Sequence, residues 1–392
     1  MKQNASRSMV REIMTEFARL TGLSPTGKVP PRRYLWTDAF ALCNFLGLYS
    51  QTRDEKYKGF ALRLVDQVHN ILGRHRDDDP RTGWISGLDE QEGRMHPTKG
   101  GLRIGKEMNE RGPADPFDEG LEWDRDGQYY HYLTKWMHAL NRVTRATGDS
   151  TYNNRAIELA KTAHAGFTYV PSSGGQKRMY WKMSIDLSYQ LVPSMGQHDP
   201  LDGFITYNQL QATAAKDSER SAWPDIKAEI ADMAGICEGK SWATDDPLGI
   251  GGLLGDAFKV AQLIVHENFE QTDLLEALLD SSLLGLESYT KQNQLKLPAD
   301  YRLAFRELGL SIGLKAVEKL QVWIEQKPGL FHKKHALDFK IESLMQYSPL
   351  SEMIEMFWLE RTNREAASWM AHRDINVVML ATSLAPDGYL IL

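Results

Sequence analysis

Carboxylates stand beside tryptophans at several points along this sequence of 392 residues. The densest group occupies residues 122–126, which read Glu-Trp-Asp-Arg-Asp. Two carboxyl groups that flank a glycosidic bond can hydrolyse it, one as the acid and the other as the base or nucleophile. Aromatic faces cover the apolar faces of sugar rings, and Asp, Arg and His side chains bond the hydroxyls. These residue types therefore favour acid–base chemistry on a carbohydrate.

The predicted catalytic residues are Asp124, Glu122, Asp202 and His198. Asp124 is the preferred general acid, because crowded carboxylates beside Trp123 would hold its proton by desolvation and by neighbouring negative charge. His198 precedes two aspartates, and a histidine in that position could act as a tuned acid or base. The alternative for both groups is structural, since carboxylates are favoured at N-caps and in the first turn of any helix.

The predicted substrate-binding residues are Trp36, Asp38, Trp84, Trp123, Asp126, Trp181, Asp186, Arg306 and His372. Core packing is the competing role for Trp36 and Trp181. No metal and no cofactor is predicted. The three aspartates at residues 77–79 lack the ligand spacing of a calcium loop. The glycine-rich stretch at residues 249–252 lacks the preceding strand of a dinucleotide loop, so its glycines are expected to allow close approach of helices or substrate.

Helices must position these residues, because helical periodicity runs through most of the sequence. Segments that are apolar on every side belong in a core, and segments with one apolar stripe cover it. The predicted inner segments are residues 35–49, 129–143, 248–265, 303–320 and 375–384. The predicted outer segments are residues 6–20, 55–72, 152–169, 221–236, 274–289 and 350–367. About six such alternations predict a closed ring of helix pairs in a single domain, residues 1–392.

Residues 74–120 do not follow this pattern, because they have no sustained period and are rich in glycine and proline. Loops of this length are uncommon in compact domains and are usually functional or disordered. We expect the segment to be a lid-like insertion over the mouth of the ring. Trp84 or Arg103 would then contribute to the substrate wall.

A short turn occurs twice, since residues 52–57 read Thr-Arg-Asp-Glu-Lys-Tyr and residues 147–152 read Thr-Gly-Asp-Ser-Thr-Tyr. Each places an Asp at a predicted helix N-cap before an apolar stripe. With Trp36-x-Asp38 and Trp123-Asp124-x-Asp126 at inner-helix starts, nearly the whole chain resembles the six-hairpin glycosidase-like superfamily. The resemblance implies an all-α (α/α)6 toroid of six outer–inner hairpins, with a carbohydrate site in the funnel where inner helices begin. That superfamily includes glycoside hydrolases, unsaturated-uronide hydrolases, polysaccharide lyases and sugar epimerases.

Three functions are compatible with this pattern. The first is a glycoside hydrolase that acts on an oligosaccharide or a modified sugar by carboxylate acid–base chemistry. The second is a sugar epimerase or isomerase, for which the resemblance implies a pair of inner-helix histidines, here His198 and His372. The third is a toroid that binds glycans or proteins without catalysis. Carboxyls about 5–10 Å apart would favour hydrolysis, and two facing histidines would favour epimerisation.

Charge and hydropathy narrow the class of partner. The net charge of −6 argues against nucleic acid, whose binding proteins present a basic footprint. No apolar run reaches the roughly 20 residues of a membrane span, and residues 1–10 contain no hydrophobic signal core. The sequence therefore predicts a cytoplasmic protein whose partner is a carbohydrate.

Overall fold

The structure is a computed structural model that describes residues 2–24, 29–216 and 225–392. Within these residues helices dominate, and the strands are only two or three residues long. This confirms the predicted all-α class. The chain's contacts divide it into two compact units: unit 1 holds the residues up to Phe17 together with Lys240–Leu392, and unit 2 holds Ala18–Gly239. Organisation as a single domain stays a prediction.

Helix α1 (Lys2–Leu20) begins in unit 1 and ends in unit 2. The further helices of unit 2 are α2 (Leu35–Thr52), α3 (Glu55–Leu72), α4 (Glu90–Met95), α5 (Glu119–Asp124), α6 (Tyr130–Thr147), α7 (Thr151–Phe167), α8 (Asp199–Ala214) and α9 (Lys227–Cys237). Helices α2, α6 and α8 are buried along most of their length, and α6 packs against both α2 and α8. Helices α3, α7 and α9 each cover the inner helix of their own pair. The start of the predicted outer segment 221–236, residues 221–224, lies outside the described residues.

The repeated turn joins the inner to the outer helix in the first two pairs, and the same hydrogen bonds build both copies. Thr52 Oγ1 and Thr147 Oγ1 each donate to the carbonyl four residues earlier, at 2.7 and 2.8 Å. Each also accepts from the backbone N–H of the following aspartate, Asp54 or Asp149, at 3.2 Å. Asp54 is the N-cap of α3, as predicted. In the second copy the N-cap position of α7 is Ser150, but the Asp149 carboxylate makes the predicted capping hydrogen bond, since it accepts from the N–H of Thr151 at 2.9 Å.

Two small antiparallel sheets connect the helices of unit 2. Their strands are β1 (Gln128–Tyr129), β2 (Thr168–Tyr169), β3 (Arg178–Met179), β4 (Lys182–Met183) and β5 (Gln190–Val192). The strand order is β1-β4-β5 in one sheet and β2-β3 in the other. Tyr129 pairs with Lys182, and this register brings the neighbouring Trp181 to the start of α6.

The predicted irregular segment, residues 74–120, contains only α4 and the start of α5 as regular structure. It is fastened to unit 2 at several points. Gln128 Oε1 accepts from the N–H of Leu102 at 2.9 Å, and Thr98 Oγ1 donates to Glu158 at 2.6 Å. Trp84 is only 3% exposed. These contacts hold much of the segment in place, and its role as a lid stays a prediction.

Unit 1 contains α10 (Pro247–Glu267), α11 (Thr272–Lys291), α12 (Ala304–Gln326), α13 (Lys334–Met345), α14 (Pro349–Leu359), α15 (Ala367–Ala371), α16 (Arg373–Leu384) and α17 (Asp387–Leu390). Its 3-10 turns are Gln294–Lys296, Ala299–Tyr301, Pro328–Leu330 and Asn363–Glu365. Helix α12 packs against α10 and α16, and all three are largely buried, as predicted. A Cβ at Gly251 of α10 would overlap the carbonyl oxygen of Gly309. Close helix approach, expected for the glycines of residues 249–252, is therefore confirmed at Gly251.

Helix α10 is long and apolar enough to cross a membrane by composition alone. However, 78% of its most apolar window is buried inside the protein. The core helix of a soluble protein passes the same test, so burial accounts for this composition. The cytoplasmic location stays a prediction.

Candidate active site

Aromatic side chains meet in unit 2 where α2 and α6 begin. We call this group the aromatic cluster; its members are Tyr34, Trp36, Tyr129, His131, Tyr132 and Trp181. The ring centroids of Trp36 and Tyr132 are 5.3 Å apart, and those of Tyr129 and Trp181 are 5.5 Å apart. The His131 ring is stacked on Trp181 at 6.4 Å. Several members are only half-buried, so the cluster presents aromatic surface to solvent.

The starts of α2 and α6 place these rings together. Tyr34 is the N-cap of α2 and Tyr129 is the N-cap of α6, both with extended backbone. The hydroxyls of Tyr34 and Tyr132 lie 2.8 Å apart, which ties the two helix starts to each other. Trp123, in α5, lies at the edge of the cluster: it is 47% exposed and meets Trp181 edge to face at 5.3 Å. Trp36, Trp123 and Trp181 therefore do lie together.

An acid and a base face each other beside this cluster. Asp199, the first residue of α8, is only 5% exposed, and its Oδ1 lies 3.6 Å from Nδ1 of His131. Burial, reinforced by the negative charge of Asp202, raises the pKa of Asp199 to about 8. Burial among its aromatic neighbours lowers the pKa of His131 to about 4. Near neutral pH a protonated carboxyl therefore faces an uncharged imidazole.

The chain before α8 helps to enclose the Asp199 carboxyl. A Cβ at Gly196 would lie only 2.5 Å from the carboxyl carbon, so the absence of a side chain there lets the backbone close over the acid. The N–H of Asp199 donates to the carbonyl of Gly196 at 3.3 Å. This local turn keeps water away from one side of the carboxyl, which favours its neutral form.

Asp202 lies one turn further along α8 and forms a buried ion pair. Lys135 Nζ lies 2.6 and 2.7 Å from its two carboxylate oxygens, and Thr134 Oγ1 donates to it at 3.3 Å. Asp202 therefore places a paired negative charge near Asp199, and its catalytic role stays a prediction.

Three polar atoms at this site are buried and have no hydrogen-bond partner among the described residues: Asp199 Oδ2, His131 Nδ1 and Trp36 Nε1. Buried polar atoms in proteins are nearly always paired, with protein or with water. Two atoms of the acid–base pair and one indole N–H therefore keep hydrogen-bonding capacity that no described residue uses.

The acidic group at residues 122–126 contains two buried carboxylates and one exposed carboxylate. Glu122 is buried and paired with Lys182 at 2.8 Å and with Arg111 at 3.2 Å. Asp124 is exposed, so it lacks the apolar enclosure on which its assignment as general acid depended. Asp126 is fully buried.

Asp126 anchors the irregular segment 74–120. Its Oδ2 accepts from Arg103 at 2.9 Å and from Arg76 at 3.3 Å, and its Oδ1 accepts from the N–H of Gly105 at 2.9 Å and of Gly127 at 3.1 Å. All of these donors are protein groups. Asp126 and Arg103 are therefore placed as structural partners of each other rather than as groups open to a substrate.

Three more predicted binding residues lie in structural contacts within unit 2. Asp38 is buried and accepts from Arg33 at 3.2 Å. Asp186 accepts from Arg81 at 2.8 Å. The Trp84 ring packs against Gly93 and lies under the guanidinium of Arg74, 4.2 Å from the ring centroid. None of the three belongs to the aromatic cluster.

The remaining predicted residues are divided between the units. His198 is the half-buried N-cap of α8 in unit 2, directly before Asp199. Arg306 and His372 lie in unit 1. There Arg306 pairs with Asp246 at 2.7 Å, and the exposed His372 meets Phe305 edge to face at 5.5 Å.

Sequence-based prediction placed Asp199 in the acidic cluster with His198 and Asp202, with an N-cap as the alternative, but did not choose it as a catalytic residue and did not consider His131. A usable signal existed in the run Tyr-Tyr-His-Tyr at residues 129–132, where an inner helix begins. Four large aromatic or imidazole rings in succession exceed what one buried helix face can hold. Some of them must therefore lie on an accessible surface.

Comparisons with known proteins identify the fold. No protein-family model matches the chain, and no curated protein matches it. A GH76 α-mannanase from Bacteroides thetaiotaomicron has a TM-score of 0.52 at 8% identity, with 97% of this chain and 96% of that chain covered. A sugar epimerase from a ruminal bacterium has a TM-score of 0.49 at 10% identity and 98% coverage of both chains. A cellobiose 2-epimerase from Spirochaeta thermophila has a TM-score of 0.48 at 13% identity, with coverages of 96% and 98%.

At these identities the likeness concerns the fold alone. The mannanase comparison supports the predicted fold class, an all-α (α/α)6 fold. Fold alone does not assign a reaction, so the chemistry has to be argued from the site.

Proposed function

We propose that this chain, which has the fold of the six-hairpin glycosidase-like superfamily, is a carbohydrate-active enzyme and, more narrowly, a glycoside hydrolase. The observation that carries the proposal is the Asp199 carboxyl. It is buried, its pKa is raised to about 8, one of its oxygens has no partner among the described residues, and it lies beside the aromatic cluster. A proton donor of this kind is what the leaving oxygen of a glycosidic bond requires.

The aromatic cluster supplies the sugar-binding surface in this proposal. The half-buried Tyr132 and Trp181 offer ring faces beside the start of α6, and the exposed Trp123 extends that surface outwards. Carbon-bound hydrogens on a pyranose face pack against such rings. The unpaired N–H of Trp36 can donate to a sugar hydroxyl.

Asp199 donates its proton to the leaving oxygen as the glycosidic C–O bond breaks, and a water molecule adds to the anomeric carbon and loses a proton. His131 lies 3.6 Å from Asp199 and is more exposed, so its uncharged imidazole can accept that proton and return it to the Asp199 carboxylate. Asp202 and Lys135 do not contact the substrate in this scheme. They are positioning residues whose charges set the affinity of Asp199 for its proton.

A second function, a sugar epimerase or isomerase, is favoured by one observation. Near neutral pH, His131 is an uncharged base directly beside a proton donor, and such a pair can move a proton between neighbouring atoms of an opened sugar. The base would then be His131 rather than the sequence-predicted pair of His198 and His372.

A screen of oligosaccharides and free sugars with product analysis tests the proposal. Hydrolysis releases two shorter sugars, whereas epimerisation in D₂O converts one sugar into another that carries carbon-bound deuterium. Asp199→Asn should lower kcat by about 10²–10⁴-fold with the fold intact. Asp124→Asn is the matched control, and its kcat should stay close to that of the wild type. Full activity of Asp199→Asn would overturn the assignment.

A further inference from the structure

Lys106 lies beside the aromatic cluster and forms no ion pair with a described carboxylate. Its Nζ lies 5.5 Å from the centroid of the Tyr34 ring, and the residue is half-buried. Its ammonium has no ion pair or hydrogen bond with any residue that the structure describes. Burial lowers the pKa of Lys106 in spite of the opposing effects of Asp124 and Asp126. Partial desolvation of a charge with no fixed partner is unfavourable, and such charges are normally paired.

The nearest buried acid cannot serve as that partner, because it is already saturated. Asp126 accepts from Arg103 and Arg76, two cations for one carboxylate, and from two backbone N–H groups. Asp124 is exposed, and an ion pair with it in water would contribute little. Neither Asp126 nor Asp124 therefore provides Lys106 with a buried ion pair.

The other buried acid of this stretch, Glu122, is also occupied. It is paired with both Lys182 and Arg111. Arg125 adds a further guanidinium, whose Nε is buried and has no partner among the described residues. The two buried carboxylates of this stretch, Glu122 and Asp126, are therefore already paired with cations other than Lys106.

We infer that Lys106 binds a negatively charged group of the substrate, so that the sugar is an anionic one: a uronic acid, or a sugar that carries a sulfate or phosphate ester. The inference rests on the proposed function for the location of the sugar at the aromatic cluster. A carboxylate, a sulfate and a phosphate share the chemistry that a half-buried ammonium requires, anionic oxygens that accept charge-assisted hydrogen bonds. The Tyr34 hydroxyl, next to the Lys106 ammonium, can add a neutral donor.

Binding of free monosaccharides tests this inference without any turnover. Calorimetry with the full chain compares glucose, mannose and galactose with their uronates, 6-sulfates and 6-phosphates. At least one anionic sugar should bind about 10–100-fold more tightly than its neutral parent, as a charged hydrogen bond implies. The uronate and ester arms then show which anion is preferred.

Variants separate the role of Lys106 from general electrostatics. Lys106→Met keeps the apolar stem and removes the charge, and it should abolish the preference for the anionic sugar, whereas Lys106→Arg should keep most of it. Lys99→Met, at an exposed lysine of the same segment, is the control and should leave the preference unchanged. Cooperative thermal unfolding of each variant verifies the fold.

Two results would overturn the inference: equal affinities for neutral and anionic sugars throughout the set, or an anionic preference that survives in Lys106→Met. Neither result depends on whether Asp199 is the general acid. If Asp199→Asn kept full turnover while Lys106→Met lost the anionic preference, the proposed acid would be wrong and the anion site would stand.

Discussion

Asp202→Asn should lower the pKa of Asp199, because the negative charge of Asp202 is one of the two causes that raise it. Burial, the larger cause, would stay. Lys135 would also stay and would no longer pair with a carboxylate at residue 202, so its positive charge would favour the ionised form of Asp199. Both changes act in the same direction and make the proton easier to lose.

The size of the shift follows from the position of both carboxyls on α8. Side chains three residues apart on a helix lie about 6 Å apart, and two unit charges at that distance interact by about 2.8 kcal/mol at an effective dielectric constant of about 20. That energy corresponds to about two pKa units. The pKa of Asp199 should therefore fall from about 8 to about 6.

Carbon-13 NMR of protein labelled at the aspartate carboxyls measures this shift without a substrate. Asp199→Asn identifies the resonance by its disappearance, and the titration is then compared in wild type and Asp202→Asn. A wild-type resonance that titrates near pH 4 would refute the buried-acid argument. A wild-type value near 8 that does not move in Asp202→Asn would refute the role of the neighbouring charge.

Further predictions concern stability, each measured by urea unfolding. The pKa of Asp199 is higher in the folded protein than in the unfolded chain, so the stability that protonated Asp199 contributes is present below about pH 4 and is lost as the pH rises to about 8. Over that range the wild type should lose up to about 5 kcal/mol of unfolding free energy relative to Asp199→Asn. Parallel curves of stability against pH would contradict this. Asp202→Asn should cost about 3–5 kcal/mol because it removes the carboxylate from the buried ion pair with Lys135, whereas the double variant Asp202→Leu/Lys135→Met should cost far less. Equal losses would argue against a buried pair. Gly251→Ala should cost about 1–3 kcal/mol by pushing a methyl into the backbone of α12. The control Gly252→Ala should cost nothing, because its added Cβ meets no atom within 4 Å. Equal effects of the two variants would contradict the close approach of α10 and α12.

The inner helices could be predicted from the sequence because their signal is local. Residues 35–49 are apolar on every side, and the corresponding helix α2 is buried along most of its length. The same holds for residues 248–265 within α10. Helix α13 was not predicted as an outer element, since its short apolar stripe follows a glycine- and proline-containing turn that obscures the period.

The ion pairs of the acidic group at residues 122–126 could not be predicted, because they depend on residues distant in the sequence. Glu122, Asp124 and Asp126 form a dense group in the sequence, yet the cations that neutralise Asp126 come from the irregular segment 74–120. No local pattern specifies which arginine meets which carboxylate. A dense cluster of acids indicated a site, whereas its members are paired or exposed.

The acid–base pair was hidden for a related reason. Asp199 looks like any first-turn carboxylate, and only the enclosing backbone of Gly196 and the nearby charge of Asp202 distinguish it. His131 becomes unusual only when Trp36 and Trp181, distant in sequence, surround its ring. Burial is a property of the folded chain, and therefore so is the pKa shift of each group.

The dependence of turnover on the leaving group tests most directly whether Asp199 is the general acid. Asp199→Asn would be assayed on two glycosides of the preferred sugar, one with a 2,4-dinitrophenyl leaving group and one with a sugar. A dinitrophenolate leaves without protonation, so the kcat of Asp199→Asn on that glycoside should stay close to that of the wild type. A sugar leaving group needs the proton, so the kcat of Asp199→Asn on the second glycoside should fall by about 10²–10⁴-fold. Equal losses on both glycosides, or no loss on either, would contradict the assignment of Asp199.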